Sequence, residues 1–380
     1  MSEAAARPLR ILHCHSTFAA GGKELRSVAL MNAFGAAAEH TVVSAEPQSM
    51  GARAHLAAGL KVHFPTDFPS LTGKPTPGRL VDLAQAMKPY DLVCSYNWGA
   101  MDAAMAHGVF AASLGLPPLI HHEDGFNEDE AERLKPTRNW YRRAALRNAH
   151  RLVVPSLLLE RVAREVWQQP AEKVERIANG IDTDAFAAAP DPSALRIIKR
   201  PGERWVGTLA GLRAVKQLPL LVEAMQALPE EWHLVIAGEG PERDSIRARA
   251  AALDLSHRVH LPGAIAQPQA IIGLFDIFAL SSRSEQFPLS VVEAMAAGLP
   301  VAAPDVGDIR QMVAEPNRPF IAVPGDAAAL GQMLADLAAD EELRARIGAA
   351  NRARARAEYA AERMIARYRA LYWGAAGRSV

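Results

Sequence analysis

The sequence predicts an α/β protein built from two doubly wound, Rossmann-like domains. Three observations lead there. Twelve short runs rich in Val, Ile and Leu recur along the 380 residues, six in each half, with Ala-rich helical stretches between them. Most of these runs are continuously apolar rather than alternating, the pattern of parallel strands covered by helices on both faces. A chain of this length also exceeds what one ordinary core organises.

In the first half the predicted strands are RILHC from Arg10, HTVVSA from His40, KVHFP from Lys61, DLVCSY from Asp91, PLIHHE from Pro118 and RLVVPS from Arg151. In the second they are RWVGTL from Arg204, HLVIAG from His233, VHLPG from Val259, IFALSS from Ile277, PVAAPD from Pro300 and PFIAVP from Pro319. Pro, Asp and Ala crowd into residues 185–203, which marks a linker. The expected domains are therefore 1–185 and 186–358. A final helix within 359–380 carries an aromatic and apolar face, expected to cross back onto the first domain. Ligands of open parallel sheets gather beyond the carboxyl ends of the strands, so the chemistry is expected in a cleft that the two domains face across.

Composition excludes several classes. With 42 basic and 42 acidic residues there is no overall field to draw nucleic acid, and none is expected as a partner. Cys14 and Cys94 sit in apolar runs, which reads as free buried thiols of a reducing compartment and builds no metal cluster. No run reaches the ~20 apolar residues of a membrane span, and the first residues lack the pattern of an export signal, so a cytoplasmic protein is expected.

The most informative segment runs from Ser284 through Glu285, Gln286, Phe287, Pro288 and Leu289 to Glu293. It sets two carboxylates about two helical turns apart where a strand passes into a helix. Pro288 suits the first turn of that helix. Exposed N–H groups at the helix start favour a phosphate, and Glu285 can accept hydrogen bonds from hydroxyls beside it, a combination that a phosphorylated sugar supplies. An amphipathic helix with two solvated glutamates is the plainer reading of the segment alone.

Other segments fall at predicted strand ends. Gly21 and Gly22 open a helix after the first strand and let backbone approach a ligand; no G-x-G-x-x-G occurs there, which argues against a dinucleotide cofactor. Asn97 follows DLVCSY. His121, His122, Glu123 and Asp124 end another strand, where one histidine is expected to fold inward and the other to face the cleft, either assignment being open. Arg213 and Lys216 close the loop after the first strand of the second domain, where a guanidinium and an ammonium can grip a diphosphate. Gly238 and Gly240 turn the chain beside them. Asp182-Thr183-Asp184 has the form of a metal-binding D-x-D but sits in a turn after Asn179-Gly180, and no metal site is assigned to it.

Together these pieces resemble the family-4 retaining glycosyltransferases of GT-B fold. The resemblance rests on Gly21-Gly22-Lys23-Glu24, His122-Glu123-Asp124-Gly125, Asn179-Gly180-Ile181-Asp182, Val206-Gly207 with Arg213 and Lys216, Ala237-Gly238-Glu239-Gly240-Pro241, and Glu285 to Glu293 followed by Ala294-Met295-Ala296-Ala297-Gly298. It implies a two-domain GT-B architecture and transfer of a sugar from a nucleotide-diphosphate sugar to an acceptor hydroxyl. The transfer would retain configuration and need no cofactor or metal, as in bacterial polysaccharide or glycoconjugate synthesis. It implies His122, Arg213, Lys216 and Glu285 as catalytic, with Glu285 on the donor sugar and Arg213 and Lys216 on the diphosphate. Gly21, Gly22, Gly238, Gly240, Phe287, Pro288 and Leu289 would bind the donor, and Glu293 its ribose. His121, Glu123, Asp124 and Asn97 would lie on the acceptor side. The chain departs from the commonest pattern: Gln286 and Pro288 stand for glycines and Thr208 for an arginine. Pro288 removes one backbone donor, which leaves the Phe287 and Leu289 N–H groups for the phosphate.

Residues 134–151, opening on Leu134 and closing on Arg151, combine Trp140, Tyr141 and Leu146 with Lys135, Arg138, Arg142, Arg143 and Arg147. Such a helix can rest on an anionic membrane, which would place the protein at the inner face of the cytoplasmic membrane with a saccharide or lipid-linked saccharide acceptor; a surface helix with core aromatics is the alternative. A nucleotide-sugar epimerase of similar architecture and a non-catalytic nucleotide-sugar binder are the rival readings of the whole chain.

Overall fold

The computed structural model describes residues 7–126, 128–130 and 133–379. It divides into two compact units, one of Met1–Ala178 with Met364–Val380 and one of Asn179–Arg363. Each is organised by one parallel sheet.

The first sheet contains β1 (Leu9–His15), β2 (Ala38–Ser44), β3 (Val62–His63), β4 (Leu92–Tyr96), β5 (Leu119–His122), β6 (Arg151–Val154) and β7 (Val174–Arg176), in the order β3-β2-β1-β4-β5-β6-β7. The second contains β8 (Arg204–Leu209), β9 (Trp232–Ala237), β10 (Val259–Gly263), β11 (Ile277–Ala279), β12 (Val301–Pro304) and β13 (Ile321–Ala322), in the order β10-β9-β8-β11-β12-β13. Each sheet winds outward in both directions from its first strand, so the switch points lie between β1 and β4 and between β8 and β11. All twelve predicted runs are strands. The strand missed is β7, three half-exposed residues (Val-Glu-Arg) at a sheet edge, with neither an apolar run nor an alternation to reveal it.

Burial explains why the strands read as solid apolar runs. Every residue of β4 and β12 is buried, and the β8, β9 and β12 cores carry the helices Leu218–Ala224 and Ala327–Ala339. At Gly207, in the middle of β8, a Cβ would lie 2.0 Å from the Phe275 ring, so only glycine admits that packing.

The junction falls earlier than the 185/186 boundary read from composition. Ile181 bridges to Ala360, and Asp182 caps the short helix Thr183–Ala187 by accepting from the Ala185 N–H at 3.0 Å. Residues from Asn179 onward thus pack with the second unit. Asp182 is thereby committed, and Asp184 pairs with Arg356 at 3.7 Å. Among the described residues no group of three acidic, His or Cys side chains could hold a metal.

The C-terminal helix Ala361–Ala375 returns to the first unit. Met364, Tyr368, Tyr372 and Trp373 pack with Leu9, Ile11, Phe34 and Ile120 in one core cluster. Tyr372 reaches the centre of the sheet, where its hydroxyl bonds the His122 Nε2 at 2.9 Å. Replacing Tyr372 by Ala should destabilise the protein by about 3–5 kcal/mol. Tyr372→Phe should cost about 1–3 kcal/mol by leaving the imidazole nitrogen buried and unpaired. Urea unfolding followed by circular dichroism measures both.

Candidate active site

In the second unit the loops leaving β8 and β11 are stitched together at the switch point. After β8 the chain makes a 3₁₀ turn over Ala214–Lys216. The Arg283 N–H donates to the Val215 carbonyl at 2.8 Å, and the Ser281 hydroxyl donates to the Lys216 carbonyl at 2.8 Å. These bonds bring Lys216 Nζ to 2.5 Å from Glu285 Oε1, and the same oxygen accepts the Ser282 hydroxyl at 2.7 Å. Residues distant in sequence, Lys216 and Glu285, therefore form one partly buried ion pair. Ser282 is a participant that the sequence did not single out, because a serine at the end of an apolar strand carries no pattern of its own.

Arg213 begins the same turn and is exposed. Its guanidinium forms no hydrogen bond or ion pair with any described residue, so its charge is uncommitted. The loop that carries Arg213 and Lys216 is held from behind by the glycine turn after β9. Gly238 and Gly240 have φ of 154° and 155°, and a Cβ at either would lie 1.8 Å from the Ala210 carbonyl oxygen or 2.4 Å from that of Leu212. The two glycines thus shape the loop through close backbone approach.

The helix after β11 is Leu289–Ala297, with Pro288 as its extended N-cap rather than inside its first turn. The Phe287 side chain is buried and meets Tyr359 edge to face at 5.6 Å. Its contribution to any ligand is thereby limited to backbone. Gly307 locks this loop: at φ 58°, a Cβ there would sit 2.5 Å from the Glu285 carbonyl oxygen, while the neighbouring Asp308 N–H bonds the Gln286 carbonyl at 3.2 Å. Glu293 lies one turn into the helix, and burial pushes its carboxyl up to about 7.

The first unit departs from expectation. His121 and His122 are both buried, at 0% and 1% exposure, so neither side chain faces outward. His122, expected as a catalytic group, stacks on Tyr96 at 4.5 Å and bonds Tyr372, so its imidazole is packed into the core of the first unit. His121 bonds the Ser95 hydroxyl at 2.8 Å, and Glu123 is fully buried with the Arg142 guanidinium 3.5 Å away. The reason is the seven-stranded sheet: β5 is interior, and its last residues are covered by the C-terminal helix on one side and the 136–146 helix on the other. Asp124 and Asn97 remain partly exposed. Asp124 forms a bidentate pair with Arg26, and its N–H donates to the Asn97 side chain at 2.9 Å. Gly21 is the N-cap of the helix Gly22–Phe34, and the Glu24 carboxylate, paired with Lys23, folds against it. A carboxylate is therefore already placed at that helix start, where Gly21 and Gly22 were expected to let backbone approach the donor.

On the helix Pro136–Leu146, Tyr141 turns inward and donates to Asp102 at 2.6 Å, whereas Trp140 is 68% exposed. Lys135 and Arg138 pair with Asp129, and Arg142 is buried against Glu130. Lys135, Arg138 and Arg142 are thus neutralised by neighbours, and Arg143 and Arg147 stay exposed. Together with Trp140, Gln168 and Pro170 they line a cavity of about 420 Å³. Among the described residues no helix is long and apolar enough to cross a membrane.

Comparison with known proteins accords with this architecture. The Glycosyltransferase Family 4 model matches residues 20–185 and the Glycosyl transferases group 1 model matches residues 196–354. N-acetyl-alpha-D-glucosaminyl L-malate synthase of Bacillus anthracis is 26% identical over 167 residues, 43% of this chain and 44% of that one. Alpha-D-kanosaminyltransferase of Streptomyces kanamyceticus is 24% identical over 265 residues, 66% of this chain and 68% of that one. The crystal structure of Anabaena Alr3699/HepE in complex with UDP has a TM-score of 0.78 at 21% identity and covers 96% of this chain and 99% of that one, a likeness of fold. The two family models together account for most of the sequence, and the chain belongs to the family-4-like glycosyltransferases of GT-B architecture.

The raised Glu293 carboxyl has a measurable consequence. The folded state keeps its proton at pH values where the unfolded chain has lost it, so this stabilisation is complete below the usual carboxylate pKa and disappears as pH rises through about 7. Thermal melting from pH 5 to 8 should therefore fall more steeply for wild type than for Glu293→Gln, by no more than about 3 kcal/mol over the window.

Proposed function

We propose that the protein transfers a sugar from a nucleotide-diphosphate sugar to an acceptor hydroxyl, with retention of anomeric configuration and without a bound metal, in bacterial polysaccharide or glycoconjugate synthesis. The observation that carries this reading is the Lys216–Glu285 pair at the switch point of the second sheet, with the uncommitted Arg213 beside it in sequence and Glu293 on the helix that follows. Lys216 and Arg213 supply positive charge for the diphosphate, and the Leu289–Ala297 helix adds the positive end of its dipole. Glu285 then accepts hydrogen bonds from the donor sugar, and Glu293 those from the ribose. Lys216 has three N–H donors, so it can hold Glu285 and a phosphate oxygen together.

In the reaction the acceptor hydroxyl attacks the face from which the nucleotide departs. The C–O bond to the diphosphate breaks, the new glycosidic bond forms, and a phosphate oxygen of the leaving group takes the hydroxyl proton. The protein's contribution is position and fixed charge rather than covalent chemistry. The relatives that bear on this reading include the Anabaena protein, solved with UDP-glucose, and two curated transferases or synthases of glycosyl products.

Thermal shift against a panel of nucleotide sugars tests the donor. A ligand that binds only the folded state raises the melting temperature with concentration. Lys216→Ala and Glu285→Ala should abolish that rise while the unliganded melts stay cooperative. Product formation only when acceptor is added separates transfer from epimerisation, and undiminished turnover in EDTA with an unchanged anomeric coupling in the NMR spectrum tests metal independence and retention. A donor-induced shift that survives both substitutions would remove the assignment.

The acceptor is proposed to be presented at an anionic membrane surface, supported by the exposed Trp140 and the exposed cations Arg143 and Arg147 that line one cavity with it. Co-sedimentation with phosphatidylglycerol vesicles should weaken by about 30-fold in Arg143→Ala/Arg147→Ala, from ~1 kcal/mol per basic residue. Binding that ignores anionic lipid content would exclude the contact.

A further inference from the structure

Two glutamines stand directly beside the members of the ion pair. Gln217 follows Lys216, and Gln286 follows Glu285. Their backbones are fixed by the same stitching. The Gln217 N–H donates to the Ala214 carbonyl at 3.1 Å and its own carbonyl accepts from Leu220 at 3.0 Å, while the Gln286 carbonyl accepts from Asp308. Their side chains are not so committed. The carboxamide oxygen of each is shielded from solvent and accepts no hydrogen bond from any described residue.

Buried carbonyl oxygens are paired in the great majority of cases, so two unpaired ones on the residues that follow the two members of one ion pair call for an explanation. Gln217 adds a second observation. It holds φ 45° and ψ 42°, a left-handed conformation that glycine adopts freely and that a residue with a side chain adopts under strain. A residue chosen only to make that turn would be glycine. Strain kept together with an idle polar group points to a ligand that uses the group.

We infer that Gln217 and Gln286 are specificity-determining residues whose carboxamides read the hydroxyl or acylamino groups of the donor sugar next to Glu285. The inference rests on the donor reading above and adds to it the groups that choose among sugars. A carboxamide suits this task. It is neutral and so does not compete with Lys216 or Arg213 for phosphate, it accepts from O–H or N–H, and its NH₂ donates to a neighbouring oxygen. Discrimination follows from what a wrong epimer leaves behind: a hydroxyl turned away from the carboxamide strands a buried oxygen without a partner, and such sites reject strongly.

The test uses Gln217→Gly, Gln286→Ala and their double variant. Each is assayed with UDP-glucose, UDP-galactose and UDP-N-acetylglucosamine, or with the corresponding sugars of whichever of UDP, GDP and ADP raises the melting temperature of the wild type. The expected result is a KM for the preferred donor raised about tenfold per variant, the factor carried by one such hydrogen bond, with preference among the sugars reduced and the affinity for the bare nucleoside diphosphate unchanged. Gln217→Gly should meanwhile melt no lower than wild type, since it relieves the left-handed strain; a purely structural role would move stability and leave KM and preference alone. Unaltered KM and unaltered preference in the double variant overturn the inference even when the diphosphate binds normally. Failure of every nucleoside diphosphate to bind the wild type would instead strike the donor reading itself. Should Gln286→Ala lose its cooperative melt, Gln286→Asn keeps the amide on a shorter stem and must still raise KM.

Discussion

The second unit depends on one interaction, the ion pair between Lys216 and Glu285. Withdrawing either charge from water is unfavourable unless the partner is present and its remaining bonding capacity is met. Here Ser282 meets part of the carboxylate's capacity, and the loops that carry the two charges are joined by hydrogen bonds to the Val215 and Lys216 carbonyls, from the Arg283 N–H and the Ser281 hydroxyl. The pair is therefore not an ornament on two independent loops. It fixes where the positive charge of the β8 loop lies relative to the carboxylate of the β11 loop, and any anion received there meets a charge whose position is already decided.

The supporting residues act by excluding alternatives. Gly207 admits Phe275 against β8, Gly238 and Gly240 admit the loop that carries Arg213, and Gly307 admits the backbone of Glu285 and Gln286. None of these glycines needs to touch a ligand to matter, because a Cβ at any of them would collide with a packed ring or with the backbone of a site loop. Preorganisation of this kind is what lets fixed dipoles and charges act on a developing negative charge without first having to reorient.

The first unit shows the opposite use of polar residues. His121, His122 and Glu123 sit at the end of an interior strand, where the C-terminal helix and the 136–146 helix cover them. Burial holds the His122 imidazole well below its usual range, a neutral ring suited to accept from Tyr372 while its other nitrogen faces the Ser95 carbonyl. These groups order the sheet. The faces that remain open belong to Asp124, Asn97 and the Trp140 helix.

The sequence by itself determined the fold class, twelve of the thirteen strands among the described residues, the return of the last helix and the candidate status of Lys216, Arg213, Glu285 and Glu293. Strand runs and strand-to-helix junctions are local patterns, written in consecutive residues, and β7 escaped because an edge strand of three half-exposed residues has no such pattern. Tertiary structure alone decided which polar residues face outward. A histidine at a strand tip reads the same whether the next layer covers it or not, and only the packing of a helix some 250 positions away, through Tyr372, shows that His122 is interior. Likewise, the meeting of Lys216 with Glu285 and the idle carboxamides of Gln217 and Gln286 are properties of neighbours in space, which spacing along the chain does not encode.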